Sequence, residues 1–317
     1  MSGGTPDEFG LIARDYAPLA GDGARGLLDD VALFGGYAVT TDTVCCGTHF
    51  LPGDPLDTVA KKALRVNVSD LVAKGCRPAA MTLAVAWGTG AGADDHAAFA
   101  AGLAADLARY GIALLGGDTT RLGAGPGPVV TVTMWGEPLG PRVPDRAGAS
   151  PGDALFLTGT VGDAYLGLRA ARGDDPSSDY LIEAYRLPDP PVAVAPLAAA
   201  CASASIDVSD GLLADAGHIA RASGLRIVID AGALPLSKAG AAFAAAHSVI
   251  PLATGGDDYQ TLFTAPPARE AELRAEAVAA SLRLTVIGRC EPGEPDAILL
   301  GPDGAALPVD RNGYRHF

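Results

Sequence analysis

The sequence predicts an α/β or α+β protein of two domains, residues 1–140 and 141–317. Strand-like and helix-like patches alternate along the chain, in both halves. A stretch dense in Pro, Gly and Arg, "PLGPRVPDRAGASPGD" (138–153), breaks that alternation near the middle. The length of 317 residues suits about two domains, and a hydrophobic content of 49% is enough for a sizeable core.

The elements follow from local pattern. "YAVTTDTV" (37–44) and "MTLAVAW" (81–87) are rich in β-branched and apolar residues and predict strands. Between them "LDTVAKKALRVNVSDLVAKG" predicts a helix ending at Gly75. A second helix spans 94–111, with acids in its first turn and Arg109 and Gly111 at its end. "IALLGGDTT" predicts a strand running into a Gly-rich turn, and "PVVTVTMWGE" (128–137) a further strand. Beyond the junction come strand "ALFLTGT", a helix from 161, and helices near 177–187 and 191–203. "SIDVSDGLLADAGHIARASG" then leads into strand "LRIVID", a helix, "DYQTLFT", a helix near 267–281, and strands "LRLTVIGR" and "AILLG". The spacing does not fix the strand order.

A net charge of −14 argues against nucleic acid or an anionic membrane as the main partner. Phosphorylated small molecules remain open if cations mediate the contact. No apolar stretch reaches about 18 residues without a charge or proline, and "MSGGTPDEFG" lacks the marks of a signal peptide. The five cysteines form no C-x-x-C pair, so reduced thiols in a cytoplasmic protein are expected. The four lysines lie outside any Walker A frame, and no G-x-G-x-x-G follows a first strand.

What remains is a series of acids at strand ends and helix starts: Asp29 and Asp30, Asp42, Asp70, Asp118, Asp207 and Asp210, Asp257 and Asp258. Each has a structural reading beside a functional one. Asp29–Asp30 and "GGDTT" could be turns. Ser209 or Asp210 could N-cap the following helix. Asp70 is harder to explain so, because it shares a helical stripe with Val59, Ala63, Val66 and Ala73. An acid on an apolar face needs a positive partner, and a divalent cation such as Mg²⁺ is a candidate. Taken together, these acids in Gly-, Ser- and Thr-rich contexts point to an oxygen-lined, multi-metal site for phosphates.

"LLDDVAL", "TTDTV…GTHF", "KALRVNVSDLVAKGCRP", "LLGGDTTR", "DRAGASPGDALFLTGTVGDAYLGL", "IDVSDGLLADAGHIARASG", "GGDDYQTLFT" and "GYRHF" resemble, in order and spacing, the thiamine-phosphate kinase family. That family belongs to the aminoimidazole ribonucleotide synthetase-like superfamily. The resemblance implies N-terminal domains that build a shared β-barrel across a homodimer, and a C-terminal α/β domain closing over ATP. It implies Mg²⁺-dependent phosphorylation of thiamine phosphate to thiamine diphosphate. By the same resemblance Asp30, Thr40, Thr41, Asp42, Asp70, Asp118, Asp207 and Asp210 match metal ligands, and five of them (Asp30, Asp42, Asp70, Asp118 and Asp210) carry the catalysis. Gly117, Asp118, Arg146 and Ser209 match nucleotide-binding positions; His49, Asp257 and Tyr314 match positions holding thiamine phosphate. The chain departs from the family pattern at Asp257 and Gln260, where glutamates are usual, at Leu28, in "DPPVAVAP", and at Arg315.

An acceptor that is itself a phosphate, with a second pKa of about 6, is already a nucleophile at neutral pH, so direct in-line transfer without a protein base or a phosphoenzyme is expected. Two alternatives stand beside the resemblance. Another ATP-dependent synthetase of the superfamily would use a reactive cysteine near either end, yet the first cysteine is Cys45 and the sequence closes on Phe317. A non-catalytic thiamine phosphate or nucleotide sensor would lack several of the acids.

Overall fold

The computed structural model describes residues 8–125, 127–175 and 178–314; the final residues of the "GYRHF" motif lie outside them. After a short helix α1 (Glu8–Leu11), a five-stranded sheet forms from β1 (Ala32–Phe34), β2 (Tyr37–Cys45), β3 (Cys76–Trp87), β4 (Ala113–Arg121) and β5 (Val129–Pro138). Its order is β1-β2-β5-β3-β4, antiparallel except for the β3–β4 pair. Helices α2 (Leu56–Ala73) and α3 (Ala93–Tyr110) connect its strands.

The second sheet contains β6 (Ala154–Thr158), β7 (Ala204–Val208), β8 (Arg226–Asp230), β9 (Gln260–Ala265), β10 (Leu284–Glu291) and β11 (Ala297–Leu300). They lie in the order β11-β8-β10-β6-β9-β7, with only β11–β8 parallel. The helices of this half are α4 (Asp163–Arg172), α5 (Asp179–Arg186), α6 (Ala195–Cys201), α7 (Leu212–Ser223), α8 (Lys238–Ala246), α9 (Ile250–Thr254) and α10 (Glu270–Ala279). Both sheets thus mix with helices in an α+β arrangement, matching the predicted class.

Helix α2 is buried on most sides, and its polar residues Lys62, Arg65, Asn67 and Ser69 are buried along with its apolar ones. It packs on β2, β3 and β5 of its own sheet and on β7 and β9 of the other. Its Leu64 and Leu71 share one core with Phe156, Tyr259 and Phe263 from the second half. Arg65 strengthens the junction: its Nε donates to Asp106 of α3 at 2.6 Å, and its guanidinium reaches the Pro188 carbonyl at 3.0 Å. Removing one partner of such a buried pair would cost about 3–5 kcal/mol.

The predicted Gly-rich turn at "GGDTT" is instead part of β4, which runs unbroken through Arg121. Glycine is needed there for close approach: a Cβ on Gly117 would lie 1.7 Å from the Leu83 carbonyl oxygen. The run near 191–203 begins as a 3-10 turn, and its α-helix is only α6.

Candidate active site

Strand β2 alternates its side chains between two environments. Ala38, Thr40 and Val44 are buried towards α2, and Asp42 is half-buried on the same side. Thr41 and Thr43 are exposed on the opposite face, bonded to Thr133 at 3.0 Å and Thr131 at 2.8 Å. On the α2 side, Thr40 Oγ1 donates to Asp70 Oδ2 at 2.5 Å, and the Asp42 amide donates to Asn67 Oδ1 at 3.2 Å. One step along α2, Ser69 Oγ donates to Asp207 Oδ2 at 2.7 Å, joining the N-terminal helix to β7 of the second half.

Carboxylate oxygens of Asp30, Asp70 and Asp207 consequently lie within 4.8 Å of one another. They come from the segment before β1, from α2 and from β7. Burial pushes Asp207 up to about 8, with the Asp30 charge adding to the shift. Burial and the charges of Asp42, Asp207 and Asp30 hold Asp70 well above the usual carboxylate range. Burial likewise raises Asp42. Asp30 moves the other way: burial would raise it, but the Arg146 and Lys74 charges outweigh that and lower it.

Within the cluster the cations are concentrated on Asp30. Lys74, fully buried, sits 2.7 Å from both Asp29 Oδ1 and Asp30 Oδ2, and donates to the Ser205 carbonyl at 2.5 Å. Arg146 Nε donates to Asp30 Oδ1 at 3.1 Å, with a second, shorter contact from its terminal nitrogen. Asp70 was expected to face a positive partner; its neighbours are Thr40 and three further carboxylates. Closely spaced hard-oxygen donors carrying excess negative charge form a donor set that fits Mg²⁺.

Neither Ser209 nor Asp210 caps α7. Its N-cap is Gly211, with no side-chain cap bond. Asp215, in the first turn, reaches back instead: its Oδ2 accepts from the amides of Ser209, Asp210 and Gly211 at 3.1–3.2 Å. This bracing folds "VSDG" into a tight loop. Residues 313–314 cross that loop, the Tyr314 amide donating to the Asp210 carbonyl at 2.9 Å. Gly313 permits the crossing, since a Cβ there would lie 2.5 Å from the Ala214 side chain. The Asp257 amide donates to the Ser209 carbonyl at 2.7 Å, so Ser209, Asp210, Asp257 and Tyr314 converge.

Thr41, Gly117 and Asp118 are not brought to this cluster within one chain. Asp118 lies in register with Ala84, Thr131 and Thr43, on the sheet face away from α2. Three strand spacings, about 14 Å, separate β4 from β2. Sequence reasoning missed Lys62, Lys74 and Asp215. Lys62, Val66, Asp70 and Lys74 repeat at four-residue spacing on a buried helix, a signal that could have exposed the two lysines.

Residues 28–137 match the family model described as AIR synthase related protein, N-terminal domain, and residues 150–300 the corresponding C-terminal domain. The thiamine-monophosphate kinase of Caulobacter vibrioides is 42% identical over 304 residues, covering 91% of this chain and 85% of that one. The chain belongs to the thiamine-monophosphate kinase family. A solved structure of this family, AaThiL complexed with AMPPCP and TMP, superposes with a TM-score of 0.85 at 30% identity, covering 98% of this chain and 97% of that one. The HypE-HypF complex reaches a TM-score of 0.79 at only 20% identity, over 95% of this chain and 99% of the other, and shares the fold alone. Within this chain, the acid step at Asp207 lies beside the one at Asp70. The two meet through Ser69 and Asp207.

Proposed function

We propose that this chain transfers the γ-phosphoryl group of ATP to thiamine phosphate, yielding thiamine diphosphate and ADP. The observation that carries the reading is the carboxylate cluster of Asp30, Asp70 and Asp207, assembled from both halves of a chain of this kinase family. On a protein of net charge −14, cations held by such a cluster would offset the repulsion between two polyanions brought together there. Asp30, Asp42, Asp70, Asp207 and Asp210, with the Thr40 hydroxyl, would hold Mg²⁺. Bound there, Mg²⁺ supplies charge neutralisation for the phosphates.

The protein's own groups do the remaining work. Thr40 fixes the Asp70 carboxylate, Ser69 fixes Asp207, and Asp215 fixes the loop that carries Ser209 and Asp210. Arg146 and Lys74 keep Asp30 ionised. A fork such as Arg146 can also reach a phosphate oxygen from the same position. His49, Asp257 and Tyr314 are assigned to thiamine phosphate, and Gly117, Asp118, Arg146 and Ser209 to ATP. The acceptor is a phosphate with a second pKa of about 6, so its oxygen is a nucleophile at neutral pH without a protein base. Positioning and electrostatics account for the rate.

The chain acts as a homodimer in this reading. The sheet face carrying Thr41, Thr43, Thr131 and Thr133 is uncovered, and all of edge strand β4 is exposed, including Leu114 and Leu115. An open edge of this length invites pairing. Thr41 and Asp118 share that uncovered face, so a second copy is what would bring them into a site. Five free cysteines suit a reducing compartment, the cytoplasm. No helix among the described residues is long and apolar enough to cross a membrane. The test is ADP release measured with thiamine phosphate, with thiamine and with no acceptor. Release dependent on thiamine phosphate supports the reading, and acceptor-independent release rejects it.

A further inference from the structure

Lys62 is 1% exposed, and the three close partners of its ammonium come from three separate segments. Nζ donates to the His49 carbonyl at 2.9 Å in the loop after β2, and to the Tyr185 carbonyl at 3.0 Å at the end of α5. It also donates to Asp257 Oδ2 at 2.5 Å. The Tyr185 ring lies beneath it, 4.3 Å from nitrogen to centroid. His49 belongs to the first half of the chain; Tyr185 and Asp257 belong to the second. Such a set satisfies all three ammonium donors, as a buried lysine requires.

Asp257 sits in a constrained loop. Its φ is +68° and that of Tyr259 is +49°, a region that side-chain-bearing residues rarely occupy. The loop is pinned through its backbone by Ser209 and Val208, and through Asp258, whose carboxylate accepts from the Gly162 amide at 2.8 Å. Lys62 adds a tie from the opposite half of the chain. It holds one carboxylate oxygen of Asp257, while the side chain keeps 27% of its surface open. A cavity of about 340 Å³ opens beside this loop, with Arg65, Asp163, Asp258 and Gln260 among its lining residues.

We infer that Lys62 is a positioning residue for the acceptor: it locks His49 of one half to Asp257 of the other, so that the thiamine phosphate site forms as one unit. This rests on the assignment of His49 and Asp257 to thiamine phosphate. Buried against the Tyr185 ring, the ammonium itself does not meet the substrate. It acts by fixing the distance between two elements that do. Loss of the tie frees the Asp257 side chain without touching Asp70 or Asp207, while the backbone bonds to Ser209 and Val208 stay in place, so the acceptor is affected far more than ATP.

The test is steady-state kinetics of Lys62→Met and Lys62→Arg in the full chain, with each substrate varied at saturating Mg²⁺. Lys62→Met is expected to raise the KM for thiamine phosphate about tenfold or more, with the ATP KM within about twofold. Lys62→Arg keeps the charge and is expected to recover part of that loss. If Lys62→Met does not fold, Lys62→Arg carries the same comparison, with a raised acceptor KM and an unaltered ATP KM. Equal changes in both KM values, or an unchanged acceptor KM in a folded variant, overturn the inference. A wild-type chain that does not turn over thiamine phosphate overturns the acceptor assignment and this inference with it. Normal wild-type turnover with an unaffected variant overturns this inference alone.

Discussion

Replacing Asp70 with Asn is predicted to separate activity from stability. The side chain keeps its shape, and the Thr40 hydroxyl, 2.5 Å from Oδ2, can still donate to the amide oxygen. What disappears is one negative charge in a group whose oxygens lie within 4.8 Å of one another. At an effective dielectric of about 20, a like-charge pair at that separation costs about 3 kcal/mol. Asp30 is already compensated by Lys74 and Arg146, so the uncompensated repulsion is chiefly with Asp207 and Asp42. Partial protonation of the wild-type cluster relieves some of it, leaving an expected gain of about 1–2 kcal/mol for Asp70→Asn without divalent cation. For a chain of this size, that raises the melting temperature by roughly 1.5–3 °C. Turnover should be nearly abolished. In Mg²⁺ the order reverses, because wild type gains about 2.7 kcal/mol at a hundredfold excess over Kd and the variant gains less. Thermal melts of both proteins in EDTA and in Mg²⁺, beside turnover, are the assay. A variant less stable than wild type in EDTA, or one with an undiminished Mg²⁺ shift, would refute the reasoning.

Alanine at His49 or Asp257 is expected to raise the KM for thiamine phosphate more than that for ATP; equal effects in initial-rate kinetics would remove both from the acceptor side. Light scattering should give the mass of a dimer at micromolar concentration, and a stable monomer would contradict the pairing inferred from the exposed face of β2 and β5 and the edge of β4. Burial raises Asp207 and Asp258 to about 8 in the fold. An acid raised in this way contributes its full stability below its unfolded pKa of about 4 and loses it as pH rises towards 8. Melting temperatures in EDTA should therefore fall from pH 5 to pH 8, less steeply in Asp258→Asn, and a rise over that range would falsify the assignment. Transfer from a chiral γ-thiophosphate should invert configuration at phosphorus, and net retention would demand a phosphoenzyme.

Much of the fold was readable because its strands are β-branched runs between Gly and Pro punctuation, and its helices carry acids early and glycine late. "GGDTT" misled because two glycines usually mark a turn. Here Gly117 serves the approach of the β3 backbone, a tertiary cause that local pattern does not carry. The acids were legible as a set through the place of Asp70 on the apolar stripe of α2 and of the others in or beside strands. Their division was not: Thr40 and Thr41 are neighbours in sequence, yet the pleat sends them to opposite faces. Nor was the bracing of the loop by Asp215 visible beside the cap candidates Ser209 and Asp210. Lys62 and Lys74 were overlooked because a lone lysine is ordinarily a surface residue. Only the burial of α2 from both halves turns them inward.

The most direct measurement of the central claim is ³¹P NMR of the purified protein incubated with ATP, thiamine phosphate and Mg²⁺. The account predicts loss of the thiamine monophosphate resonance and growth of a diphosphate pair, one thiamine diphosphate for each ADP formed. It also predicts no such transfer in EDTA or with Asp210→Asn. ADP and inorganic phosphate without thiamine diphosphate, or full transfer by Asp210→Asn, would contradict it.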